Sequence, residues 1–235
     1  MEFDLHLHTI ASGHATSCTI TDMAKKAVKE GLKMIGISDH GPDTLNAGTP
    51  SYFRSLSGAS RKRCGIDILY GVELNILDYE GKVDLEDEIL AGLDYALISM
   101  HTLNIKPGTR WQNTNAYINA MKHPNVKIIG HCDDRKFPAD YESLINAAIE
   151  NGVFFEINNS SLRPDGYRGN TIVNNMEILK LCRRYDYTVV LSSDSHGTEH
   201  LGDFRCALEL VKQVEFPKHL IANLNYAAFK SRLRK

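Results

Sequence analysis

Residues 188–197 read TVVLSSDSHG. Val189, Val190 and Leu191 put apolar groups on both faces of an extended chain, because successive strand side chains point opposite ways. A strand that is apolar on both faces belongs in a parallel sheet covered by helices. The run then turns polar and ends in Asp194 and His196, whose i, i+2 spacing lets both side chains point the same way. The same spacing opens the chain: residues 3–9 read FDLHLHT, with His6 and His8 alternating with Phe3, Leu5 and Leu7. On regular strand parity Asp4 shares the face of His6 and His8. A buried polar row without partners is costly, so these residues are either hydrogen-bonded in the core or hold something.

Working outward, similar runs lie at about 2–8, 34–39, 67–75, 94–100, 126–131, 153–158 and 188–194, on the usual strand signals. Amphipathic helical stretches separate them. TDMAKKAVKEGL offers a cap at Thr21 and a stop at Gly31, and YESLINAAIENG repeats the scheme up to Gly152. NNMEILKLCRRYD and FRCALELVKQV are two more. Strands alternating with helices predict a parallel sheet with right-handed crossovers. The expected fold class is α/β, as a closed or nearly closed barrel. Segment 51–66 is expected to be a loop plus a short helix.

The chain has 235 residues, 43% hydrophobic and 24% charged, with a net charge of −2, enough for a full core in one barrel. The short basic end, FKSRLRK, reads as cations at a helix C-terminus and not as a nucleic-acid site. No leader pattern and no membrane-length apolar run is present. Cys18, Cys64, Cys132, Cys182 and Cys206 are odd in number and lack CxxC spacing. They read as reduced thiols, and the expected location is the cytoplasm.

The polar residues then fall into place. Strand ends carry His6 and His8, then Asp39 and His40, Glu73, His101, His131, Asn158 and Asn159, and finally Asp194 and His196, with His14 in the loop after the first strand. In a β/α barrel those ends meet at one face, where active sites are built. One isolated strand-end histidine is ordinarily a hydrogen-bonded core residue. Seven crowded together with Glu73 and Asp194 would leave imidazoles competing for few acceptors, whereas metal binding accounts for all nine. Imidazole and carboxylate without thiolate suit Zn²⁺, Mn²⁺ or Fe²⁺. Nine ligands are generous for two ions and fit three, with Glu73 the candidate bridge. His123, His200 and His219 are expected on the surface or in loops, with His200 nearest the rim.

DLHLHT, His14, SDHG, GVELNI, SMH, GHCDD, FFEINNSS and SSDSHG, in that order, resemble the polymerase and histidinol phosphatase (PHP) superfamily over essentially the whole chain. EINNSS and SDSH look like its small stand-alone bacterial phosphatases. The resemblance implies one domain over 1–235, a distorted (β/α)7 barrel and a trinuclear site, with Zn²⁺ the first expectation among the metals. It implies that His6, His8, Glu73 and Asp194 bind one ion, Glu73, His101 and His131 a second, and His14, His40 and His196 a third. Asp4 and Asp39 are expected to orient ligating imidazoles or to be satisfied by backbone amides.

Three divalent ions outweigh the charge of Glu73 and Asp194, so the cavity favours an anion such as phosphate. The expected reaction is hydrolysis of small phosphomonoesters by a metal-bound hydroxide, with Glu73 and Asp194 as the catalytic carboxylates. Arg163 and Arg168, in the loop after strand six, are the candidate phosphate ligands, with Arg135 and Arg110 behind them. Among the rivals, an amidohydrolase would place a modified lysine where Glu73 and His101 stand. A phosphodiesterase or nuclease of the same superfamily lacks support in a chain without a basic stripe. A dedicated histidinol-phosphate phosphatase is expected to be longer, and a non-catalytic metal scaffold would not need the full ligand set. The expected partner is a small phosphorylated substrate, with no extended nucleic acid and no membrane.

Overall fold

The computed structural model describes residues 1–166 and 168–233. Its strands are β1 (Phe3–Asp4), β2 (Leu7–His8), β3 (Met34–Ile37), β4 (Lys62–Arg63), β5 (Ile66–Tyr70), β6 (Glu73–Asn75), β7 (Ala96–Ser99), β8 (Val126–Ile129), β9 (Phe154–Asn158), β10 (Val189–Ser192) and β11 (Ser195–His196). β1 pairs with β3 and β3 with β5. Past Gly71 the same segment continues as β6, which pairs with β7, and β8, β9 and β10 follow in turn. Past Asp194 the last segment continues as β11 and pairs with β2, the continuation of β1. All these pairings are parallel, so seven segments close a ring in chain order. The fold is a distorted (β/α)7 barrel.

The distortion has a local form. The first, third and seventh segments each break, and the ladder passes from one neighbour to the other across the break, with Glu73 of β6 still bridging His40. Asp194 sits at the last break with φ 51°, a left-handed backbone that aspartate tolerates better than most residues.

The helices are α1 (Ile20–Lys29), α2 (Pro50–Leu56), α3 (Asp87–Leu90), α4 (Arg110–Ala120), α5 (Tyr141–Asn151), α6 (Asn159–Leu162), α7 (Ile172–Arg184), α8 (Arg205–Gln213) and α9 (Tyr226–Leu233). The cap of α1 is Thr19, in a reciprocal box with Asp22, and not Thr21. The box satisfies two orphan amides at once, which a lone Thr21 would not. α5 ends at Gly152, φ 68°, as its sequence predicts. Segment 51–66 holds most of α2 and also β4, which pairs antiparallel with β5 outside the ring. Lys230 and Arg232 lie in the last turn of α9, while Arg234 and Lys235 fall outside the described residues. Among the described residues, no helix is long and apolar enough to cross a membrane.

Two apolar layers follow from strand parity. Ile35, Ile37, Val72, Leu74, Phe155, Ile157, Val189 and Leu191 face the helices in the outer core. Phe3, Leu5, Met34, Leu97, Ile128, Phe154 and Val190 fill the lower barrel with Tyr95 and Phe229. Phe229 of α9 closes the floor, its ring centroid 4.5 Å from Phe3 and 5.4 Å from Phe154. Above this plug the inward positions turn polar.

Here one expectation fails. Phe3 and Leu5 point inward, yet so does His6, while Leu7 joins the outer core. Parity flips between Leu5 and His6, where the first segment is broken. Asp4 therefore faces away from the two histidines.

Candidate metal centre

The ends of the ring bring together the nine predicted residues His6, His8, His14, His40, Glu73, His101, His131, Asp194 and His196. Glu73, from β6, is their hub. His6 Nε2 lies 3.4 Å from its Oε1, His8 Nε2 3.5 Å from Oε2, and His101 Nε2 3.5 Å from Oε1. His131 Nε2 is hydrogen-bonded to Oε1 at 2.8 Å. His40 Nδ1 is 2.7 Å from Oε2 but out of line for a hydrogen bond, so that contact is electrostatic. Asp194 Oδ1 stands 3.6 Å from His6 Nε2 and 3.3 Å from His8 Nε2. The His14 ring is 5.0 Å from that of His40 and 4.9 Å from that of His196, centroid to centroid.

The donor set fits metal ions. His6 Nε2, His8 Nε2, His40 Nδ1, His131 Nδ1, His196 Nε2 and Glu73 Oε2 are buried without a hydrogen-bond partner, a costly arrangement unless something else satisfies them. Two ligands at about 2.1 Å from a tetrahedral zinc stand about 3.4 Å apart, close to the 3.3–3.6 Å separations of the His6, His8, His101, Glu73 and Asp194 atoms. Among the described residues, four triads have donor atoms within 4.8 Å of one another: His6–His8–Asp194, His6–Glu73–His131, His40–Glu73–His101 and His8–His40–His196.

The charges agree. Burial, with neighbouring His196 and His40, holds His8 far below the ordinary imidazole range. Burial brings His101 and His196 down to about 4 against the pull of Glu73 and Asp194. These rings stay neutral at pH 7, as metal ligation requires. Burial also works against ionisation of Glu73, but His6, His40 and His101 hold it well below the carboxylate range. Burial opposes the charge on His6 as well, yet Glu156, Asp194 and Glu73 together raise it strongly. In the ion-free chain a proton on His6 answers a nest of carboxylates that a metal ion would answer better.

Sequence reading missed the groups that aim these rings. Glu156 of β9 receives His6 Nδ1 at 2.6 Å on Oε1 and the His131 amide at 2.6 Å on Oε2. Asn75 receives His101 Nδ1 on Oδ1 at 2.7 Å. Ser12 donates to Asp39 Oδ1 at 2.7 Å, so its oxygen accepts from His8 Nδ1 at 2.9 Å. In each case Nδ1 donates to its acceptor, which leaves Nε2 as the nitrogen that faces the cluster and can ligate once the ring is neutral. Alternation was the available signal: Glu156 precedes Asn158, and Asn75 follows Glu73, by two residues on one strand face. Asp39 thus reaches His8 through Ser12, whereas Asp4 accepts the Ser193 and Gly202 amides, both at 3.2 Å.

A cavity of about 450 Å³ opens above the cluster, with Met100 and Leu103 on one wall and Asp134, Lys136, Arg163 and Arg168 on another. Arg168 is buried and donates to Asp194 Oδ2 at 2.9 Å and Ser161 Oγ at 3.1 Å. Arg163 is forked onto Asp165, at 3.0 and 2.7 Å. His200 lies on the rim, while His123 and His219 pair with Asp87 and Asp186 elsewhere. Arg110 bonds the Ala139 carbonyl, and neither it nor Arg135 lines the cavity.

The profile of the PHP domain matches residues 4–160. The chain belongs to the PHP domain family. It is 37% identical to a "probable phosphatase" of Clostridium novyi, over 98% of this chain and 96% of the relative. It is 38% identical to another of Caldicellulosiruptor saccharolyticus, over 100% and 96%. Histidinol phosphate phosphatase of Lactococcus lactis, solved with zinc, L-histidinol and phosphate, shares the fold of this PHP chain. The TM-score is 0.61 and the identity 18%, over 92% of this chain and 94% of that one. A chain of archaeal ribonuclease P has the same fold, with TM-score 0.58 and 14% identity over 98% and 89%.

Proposed function

We propose that this PHP protein is a metal-dependent hydrolase that cleaves phosphomonoesters of small molecules at a cluster of three divalent ions. The observation that carries the reading is the set of buried, unpartnered ring nitrogens held at ligand spacing around Glu73 and Asp194. His6, His8, Glu73 and Asp194 would hold one ion, Glu73, His101 and His131 a second, and His14, His40 and His196 a third. Zn²⁺ is the first candidate, with Mn²⁺ and Fe²⁺ behind it. Such ions, when bound, supply a nucleophile of hydroxide strength at neutral pH and charge to stabilise the leaving oxygen. The names of the relatives, and the phosphate bound by the Lactococcus lactis enzyme, agree with this reading.

The chain's own residues do the rest. Glu73 and Asp194 fix the spacing of the cluster. Arg168 takes up the second oxygen of Asp194 and leaves Oδ1 facing His6 and His8. Arg163, at the wall, and Arg168 are the guanidinium groups available to phosphate oxygens. The cavity, at about 450 Å³, has the volume of a small-molecule site, which suits a small phosphorylated substrate better than a polynucleotide.

The test is elemental analysis combined with hydrolysis of p-nitrophenyl phosphate and bis-p-nitrophenyl phosphate, with and without chelator. About three ions per chain and chelator-sensitive cleavage of the monoester are expected. Preference for the diester would make the protein a phosphodiesterase. Protein that binds no ion and gains no activity with Zn²⁺, Mn²⁺ or Fe²⁺ would remove the reading.

A further inference from the structure

Asp84 touches none of the nine clustered residues. It follows a hairpin in which Ile76 bridges Val83 antiparallel and the Leu77 amide donates to the Lys82 carbonyl at 2.8 Å. The hairpin brings the chain back to Asn75. Asp84 Oδ1 accepts the Asn75 backbone N–H at 2.9 Å, and Oδ2 accepts Asn75 Nδ2 at 2.6 Å. Oδ2 also accepts the Asp43 backbone N–H at 3.2 Å. Gly41 packs so closely that a Cβ there would stand 2.2 Å from Oδ2. The loop that follows His40 is therefore shaped around this carboxylate.

The direction of these bonds matters. An ionised carboxylate only accepts, so the end of Asn75 that faces it must be the NH₂ group. Burial pushes the Asp84 carboxyl up to about 6, which leaves it ionised at pH 7. The Asn75 carbonyl is thereby turned to His101 Nδ1, 2.7 Å away. A carbonyl also only accepts, so the proton stays on Nδ1 and the Nε2 lone pair looks toward Glu73 Oε1 at 3.5 Å. Thr44 Oγ1, 3.0 Å from Asn75 Nδ2, could donate as well as accept and does not fix the amide. With Asp84 neutralised, the amide can turn over, present NH₂ to Nδ1 and leave His101 with its proton on Nε2, where it cannot ligate.

We propose that Asp84 is a positioning residue for the ion that His101 would hold with Glu73 and His131, setting the His101 tautomer through Asn75, which it grips at both backbone and side chain. The inference rests on the metal-binding reading of the site.

The test uses the whole chain loaded with Zn²⁺ and dialysed against graded chelator, the ions counted at each step. Asp84→Asn is expected to release one ion at about 10–100-fold lower chelator strength, the others leaving as in wild type. The paired variant Asn75→Asp with Asp84→Asn puts a carboxylate directly behind His101, and is expected to recover most of that loss. In the ion-free proteins, imidazole ¹⁵N spectra are expected to place the His101 proton on Nδ1 in wild type and to divide it between both nitrogens in Asp84→Asn. The proposal is overturned if Asp84→Asn keeps every ion as wild type does. Loss of all ions in step with thermal stability, without recovery in the pair, overturns it too. Wild-type protein that takes up no Zn²⁺ would instead overturn the metal reading itself.

Discussion

Glu73 faces five imidazoles, at distances from 2.7 to 3.5 Å. Glu73→Ala should therefore cost more than one ion per chain in elemental analysis, and loss of a single ion would end its bridging role. Asp4 gives a second test at this scale. Burial lifts its carboxyl to about 6 from 3.8, so the fold disfavours the charged form. The penalty is fully present above pH 6 and is relieved as pH falls toward 3.8, because the native state binds the proton first. In denaturant titrations, the stability of Asp4→Asn relative to wild type should fall by about 2 kcal/mol between pH 7 and pH 4. A flat difference would mean that Asp4 titrates normally. The clustered residues were legible because histidine and carboxylate are uncommon at strand ends. The face of Asp4 was misread because regular alternation cannot anticipate a parity flip, while its satisfaction by backbone amides was one of the two expectations. Glu156 and Asn75 passed unnoticed because each looks like an ordinary strand residue until its partner is in place.

At the scale of elements, α9 and the α6–α7 loop matter most. Phe229 seals the barrel floor against Phe3 and Phe154, and Tyr226 and Lys230 bind the Asp67 carboxylate beside it. Phe229→Ala should cost about 3–5 kcal/mol in chemical denaturation, while the ion count per folded chain stays at the wild-type value. In the loop after α6, Arg163→Ala should raise KM for phosphomonoesters about tenfold, the worth of one charge-assisted hydrogen bond, with kcat little changed. An unchanged KM would move the phosphate site elsewhere. The seven strands were readable from periodicity because helices cover them on the outside and the plug fills them within. β4 was not, since Lys62 and Arg63 are polar and outside the ring and carry no apolar period. Thr21 was read as the cap because spacing alone does not reveal that Thr19 pairs reciprocally with Asp22.

For the molecule as a whole, the metal-binding reading makes ions and fold one equilibrium. Each ion present at 100 times its dissociation constant adds about 2.7 kcal/mol to stability. Chelator should accordingly lower the thermal midpoint substantially, and addition of Zn²⁺ should restore it. A midpoint indifferent to chelator would mean that the cluster is satisfied without metal. Ring closure was expected from the alternation of elements, whereas the three broken segments that achieve it were not, because a break is set by neighbours distant in sequence. Closure also has a consequence in time. The ring shuts only when β11 lies against β2, so the earliest-made strand of the ring waits for the latest. His6 and His8 emerge early, and Asp194 and His196 late. A chain cut short by stalled translation lacks the His6–His8–Asp194 and His8–His40–His196 groups. On the metal-binding reading, the groups that need Asp194 or His196 are thus reserved for chains whose synthesis has run through the final strand.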